Sequence, residues 1–125
     1  MLSALCVGAG GFVGAVLRYG ASFAVPESAF PVATFVVNVL GSFVIGLVVG
    51  AVDARPGLLS PNAVLFLKTG LCGGFTTFST FSLETLGLFE KGAWLLGGAY
   101  AAASLICCVA GVLCGRLVAL RLLEV

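Results

Sequence analysis

The sequence predicts an all-α integral membrane protein with four transmembrane helices, the third of them broken. Three observations carry that prediction. Only 9% of the 125 residues are charged and 61% are hydrophobic, whereas a globular chain usually carries about 25% charged residues. Ser28–Val52 and Gly92–Gly115 hold no Asp, Glu, Lys or Arg, and a bilayer crossing needs about 20 mostly apolar residues. Turn-forming clusters then cut the apolar sequence into four pieces.

The first span covers about residues 2–25 and ends at Pro26-Glu27-Ser28. Arg18 closes its uncharged run. At that depth an arginine either snorkels to the interface or raises the positive potential at a pore mouth. The second span, about residues 31–52, ends in the turn Asp53-Ala54-Arg55-Pro56-Gly57. The third, about 61–89, stops before Glu90-Lys91-Gly92, and the fourth, about 93–120, runs into a short tail with Arg121 and Glu124. Linkers this short make neighbouring spans antiparallel, and residues 1–125 read as one four-helix transmembrane domain.

Glycines recur four apart at Gly10/Gly14, Gly46/Gly50, Gly70/Gly74 and Gly111/Gly115, a spacing that lets helix backbones approach closely in lipid. Four such helices enclose little interior, which predicts an oligomer. With both termini on one side, Arg55, Lys68, Arg116 and Arg121 stand against Arg18 and Lys91 on the other. That bias is weak enough for insertion in both orientations.

Other classes are disfavoured. A net charge of +1 leaves no basic surface for nucleic acid. The five cysteines lie in apolar segments without CxxC spacing, and there is no histidine, which argues against a zinc or haem site. Met1–Leu17 has no basic leading region and a long apolar run, so no cleaved signal peptide is expected.

Polar side chains inside the spans are the candidate functional residues. Asn38 lies midway along a charge-free run, with Thr34 and Ser42 on its helix face. Such an amide either makes an interhelical hydrogen bond or lines a water-accessible path. Tyr100, Ser104 and Cys108 form a similar stripe on the fourth span.

The third span holds the strongest signal. Gly70, Gly73 and Gly74 weaken the helix by about 1 kcal/mol each relative to alanine, so the break is expected there, with Thr76 or Thr77 capping the helix that follows. Irregular backbone at membrane depth persists only when buried in protein or facing a cavity, and broken helices supply ion sites. Beyond the break Phe75, Phe78 and Phe81 recur every third residue, with Thr77, Ser79, Thr80 and Ser82 between them. Ring edges and hydroxyl hydrogens present positive potential without a full charge, which suits a small hard anion that must lose its water and still be released. A fixed lysine in such a path would hold the ion too long. Glu84, two turns beyond Thr77, lies where a cation would partner it near the far interface.

The stretches GGFVGAVLRYG (Gly10–Gly20), FPVATFVVNVLGSFVIG (Phe30–Gly46) and above all GLCGGFTTFSTFSLET (Gly70–Thr85) resemble the Fluc fluoride channels, also called CrcB. The resemblance covers essentially the whole chain. It implies an antiparallel, dual-topology homodimer in the cell membrane that exports fluoride passively and lowers its toxicity, without enzymatic chemistry. It assigns the fluoride pathway to Asn38, Phe78, Phe81, Ser79, Thr80, Tyr100, Ser104 and Arg18. It also implies a structural sodium ion at the dimer centre, held by the main-chain carbonyls of Gly73 and Thr76. Where the fourth-helix track often continues with a serine, this chain has Cys108, a weaker donor. The alternative is a small four-helix multidrug or cation exporter, which also forms antiparallel dimers. That class needs a membrane-embedded glutamate in its first helix, and none precedes Glu27.

Overall fold

The structure, a computed structural model, describes residues 1–26 and 28–123. Glu27, on which the expected first turn and the exporter comparison touched, and Glu124 of the tail lie outside them. Four spans are present, and the third is bent. Helix α1 is Leu2–Ala24 and α2 is Val32–Ala54. The third span comprises α3 (Pro61–Val64), a π-helical segment (Leu65–Cys72), α4 (Gly73–Phe75) and α5 (Phe78–Glu90). Helix α6 is Trp94–Leu123. α1 and α2, with 23 residues each, are about 35 Å long at 1.5 Å per residue, enough to cross a hydrocarbon core.

Local chemistry sets the ends. Val25 and Arg55 each precede a proline and are extended (φ −114°, ψ 122° and φ −135°, ψ 88°), because the proline ring disfavours helical backbone in the residue before it. Ser60 caps α3, its hydroxyl accepting the Ala63 N–H at 3.2 Å, and Pro61 occupies the first turn where no N–H is needed. α5 ends at Glu90 and is closed by Gly92, whose φ of 77° permits the paired bonds Gly92 N–H to Phe89 carbonyl and Ala93 N–H to Leu88 carbonyl, each 2.9 Å.

The spans pack as two parallel pairs. α1 lies along the π segment and α4, while α2 lies along α6. Each pair is sewn by glycine. A Cβ on Gly10 or Gly14 would strike the backbone of the Phe66–Phe75 stretch, and one on Gly70 would sit 2.7 Å from the Val7 carbonyl. In the second pair, Gly46 abuts the Val112 carbonyl, Gly50 the Arg116 carbonyl and Gly115 the Phe43 carbonyl. At its far end an ion pair, Arg116 to Asp53 at 3.0 Å, ties α6 to α2.

This packing corrects the expected position of the break. The helix runs on through Gly70, Gly73 and Gly74 and gives way only at Thr76 and Thr77, both extended (ψ 158° and 115°). Gly70 and Gly74 serve close approach to α1 instead. A penalty of about 1 kcal/mol per glycine is too small to open a helix in lipid, where each freed peptide must find another partner.

Little of the chain is interior. The buried hydrophobic side chains are Val37, Val48, Cys72, Tyr100 and Ala119, whereas Phe12, Phe78 and Leu95 are each more than 70% exposed.

Candidate ion pathway

The bend is held by one side chain. In a continuous helix the Thr77 N–H would bond the carbonyl four residues back. Here it donates to Asn38 Oδ1 at 2.7 Å, while Asn38 Nδ2 donates to the Thr77 carbonyl at 3.0 Å. A single amide from α2 thus satisfies both main-chain polar groups of Thr77, the N–H of one peptide and the carbonyl of the next. The Thr77 hydroxyl, buried itself, accepts the Thr80 N–H at 3.2 Å, donates to Thr80 Oγ1 at 3.0 Å and lies 3.3 Å from Ser79 Oγ. It is the cap that starts α5.

Around this clasp lies a cavity of about 360 Å³, to which Asn38, Gly73, Thr76, Thr77, Phe78, Phe81, Ser104 and Cys108 all contribute. Asn38 therefore makes the interhelical hydrogen bonds and also lines the cavity. Ser104 is 5% exposed, and its hydroxyl has no partner among the described residues. A buried hydroxyl left unpaired costs roughly 1–3 kcal/mol, which makes it the most anion-ready donor in the cavity wall.

Lys68 also lines this cavity, against the expectation that no lysine would stand in the path. It lies eight positions before Thr76, in the π-helical segment, and it is exposed. A long stem and a hydrated ammonium allow it to stand at the wet end without gripping a dehydrated ion.

A row of rings extends from the cavity into the bundle. Phe78 and Phe81 have centroids 5.5 Å apart, Phe81 and Tyr100 5.3 Å, and Tyr100 and Phe30 5.2 Å with planes at 86°. Tyr100 is fully buried, and its hydroxyl donates to Glu84 Oε2 at 2.7 Å. Thr34, on the Asn38 face of α2, donates to Glu84 Oε1 at 2.8 Å. Glu84 is therefore partnered by two hydroxyls rather than by a cation, because α2 and α6 bring those donors to it before any basic residue. The carboxylate also borders a second cavity of about 390 Å³ that opens among Ser22, Ser28 and Lys91. The two cavities flank the bend, one towards the α3 end of the third span and one towards the α5 end.

The structure thus gathers Asn38, Phe78, Phe81, Ser104, Gly73 and Thr76 around one cavity and sets Tyr100 behind it. Ser79 and Thr80 belong to the cap of α5, and Arg18, half-buried on α1, lines neither cavity. Thr77 caps α5 as the sequence allowed, whereas its main-chain clasp by Asn38 and the Thr34–Glu84–Tyr100 cluster escaped the sequence reading. The usable signal was Glu84 itself, since an ionisable group within a span is functional by default.

A bent span clasped by an amide, with hydroxyls and rings facing cavities on both sides of the bend, defines a membrane permeation protein of the ion-channel class. Residues 5–116 match the family described as CrcB-like protein, Camphor Resistance (CrcB). The chain is 50% identical to the fluoride-specific ion channel FluC of Chlorobaculum tepidum over 121 residues, covering 95% of each protein. It is 45% identical to that of Ruminiclostridium cellulolyticum over 124 residues, covering 95% of this chain and 93% of the relative. With that of Elusimicrobium minutum it shares 43% over 113 residues, 87% of this chain and 86% of the relative. The chain belongs to the CrcB/FluC family.

Proposed function

We propose that this chain is a passive, fluoride-selective channel of the cell membrane. Its relatives are named fluoride-specific ion channels, and the observation that carries the reading within this chain is the buried, unpartnered Ser104 hydroxyl. That donor stands in one cavity wall with Phe78, Phe81 and Asn38. An anion shedding water there meets O–H and N–H donors and polarised ring edges, with the full charge of Lys68 held at the wet end. Fluoride, small and a strong acceptor, gains most from such donors. The Tyr100 and Thr34 hydroxyls are committed to Glu84, so they serve an anion only by turning away from that carboxylate. Purified protein in liposomes is expected to release fluoride and retain chloride. Equal release of both anions, or of neither, would sink the reading.

The working unit is an antiparallel, dual-topology homodimer. Phe78 is 80% exposed in the single chain, as expected of a pathway residue completed by a second copy, and the basic residues are nearly balanced between the two ends. A single cysteine at Leu58, in the exposed α2–α3 turn, in an otherwise cysteine-free chain, is expected to label about half from each side of the membrane. Labelling from one side alone would exclude dual insertion.

A structural sodium ion fits the bend. The Thr77 N–H goes to Asn38 and the Thr80 N–H to the Thr77 hydroxyl, so the carbonyls of Gly73 and Thr76 lose the donors four residues ahead of them. Two such oxygens from each of two chains make a four-oxygen set suited to a hard cation. Sodium there would neutralise the clustered carbonyl dipoles and hold the two bends together.

A further inference from the structure

We propose that Asn38 is a positioning residue for the cation site as well as a wall of the anion cavity: by drawing the Thr77 N–H onto its own oxygen, it keeps the Gly73 carbonyl free. The proposal rests on reading Gly73 and Thr76 as cation ligands, and it assigns a cause to that ligand set. The ladder is intact one residue earlier, where the Thr76 N–H still bonds the Cys72 carbonyl at 2.9 Å. At Thr77 the choice lies between Gly73 oxygen, which a helix would use, and Asn38 Oδ1, which the structure uses at 2.7 Å. The opposite bond, Asn38 Nδ2 to Thr77 carbonyl at 3.0 Å, engages the next peptide unit and orients the amide so that its oxygen faces the Thr77 N–H. A Cβ built on Gly73 meets nothing within 4 Å, so the side-chain face of the helix at Gly73 is open in the single chain.

Two halves of the same amide thus have separable duties. The oxygen is the acceptor that releases Gly73. The nitrogen carries two N–H groups, one for the Thr77 carbonyl and one left for the cavity. Aspartate keeps an acceptor and loses the donors. Alanine loses both, and the Thr77 N–H is then free to return to Gly73.

The experiment is a sodium titration of thermal unfolding for the purified full-length protein, with N-methylglucamine chloride holding ionic strength constant. The parental protein is expected to gain stability saturably with sodium. Asn38→Asp should titrate at the parental sodium concentration or below it, even as its carboxylate in the cavity wall is expected to slow fluoride. Asn38→Ala should need about tenfold more sodium or lose the response, since the cation must first break a main-chain hydrogen bond. Should the alanine variant fail to fold, Asn38→Ser, whose hydroxyl is too short to span the Thr77 peptide, carries the same contrast. A merely structural role would lower the unfolding temperature of every variant without moving the sodium midpoint. A parental midpoint in Asn38→Ala, or a lost response in Asn38→Asp, overturns the proposal. A parental protein indifferent to sodium overturns the cation reading itself, and that result is read without any variant.

Discussion

Fluoride efflux from liposomes is expected to fall about tenfold or more when Phe81 is replaced by isoleucine, with the protein still eluting as a folded species. Isoleucine keeps apolar bulk and removes the polarised ring, so the loss reads the ring's electrostatics rather than its volume. A ring edge worth about 1.4 kcal/mol at the barrier corresponds to one factor of ten in rate. Phe78→Ile should slow efflux comparably but differ in stability. Phe81 is wedged between Phe78 and Tyr100, so its loss opens a gap. Phe78 is 80% exposed, so its loss leaves the single chain's packing almost untouched. Parental efflux in both variants would show that the rings only pack and that the anion finds its donors elsewhere.

The largest effect on folding is expected at Gly115, where even alanine should be severe. The added carbon runs into the Phe43 carbonyl and comes within 2.9 Å of the Leu47 nitrogen. Both obstacles are backbone, so no rotamer change relieves them, and α2 must part from α6. A cost of about 2–4 kcal/mol follows from overpacking of this kind, seen as a large drop in unfolding temperature or loss of the monodisperse peak. Gly98→Ala provides the control on the same helix. Nothing lies within 4 Å of its new Cβ, and the change should be neutral or slightly stabilising. Equal behaviour of the two variants would mean that glycine at Gly115 is not what brings the helices together.

The spans were legible because length and hydropathy are local properties. Val25-Pro26, Arg55-Pro56 and Ser60-Pro61 announce helix ends through backbone sterics that need no tertiary context. The glycine pairs were legible as contact sites, although their partners were not: the sequence gives no hint that Gly10 meets Gly70 rather than Gly46. The bend was misplaced by a few residues for a physical reason. A glycine that permits a break and one that permits close packing look alike in sequence. What decides is a partner 39 positions away, the Asn38 amide. Glu84 posed the same difficulty, because the identity of its donors depends on how α2 and α6 are laid beside α5.

That long reach bears on how the molecule is made. A chain inserted from its first residue delivers Asn38 to the bilayer before Thr77 reaches it. The third span then arrives among lipid tails, which offer no hydrogen bonds, and its Thr77 N–H has only the Gly73 carbonyl to turn to. Helical turns close in nanoseconds, far faster than two separate spans find each other. The third span is therefore expected to enter the bilayer straight and to bend when the second span docks and the amide takes over the Thr77 N–H. The Gly73 carbonyl is released at that same moment. The free Gly73 carbonyl thus belongs only to a molecule whose spans have already met, so the bend records completed assembly.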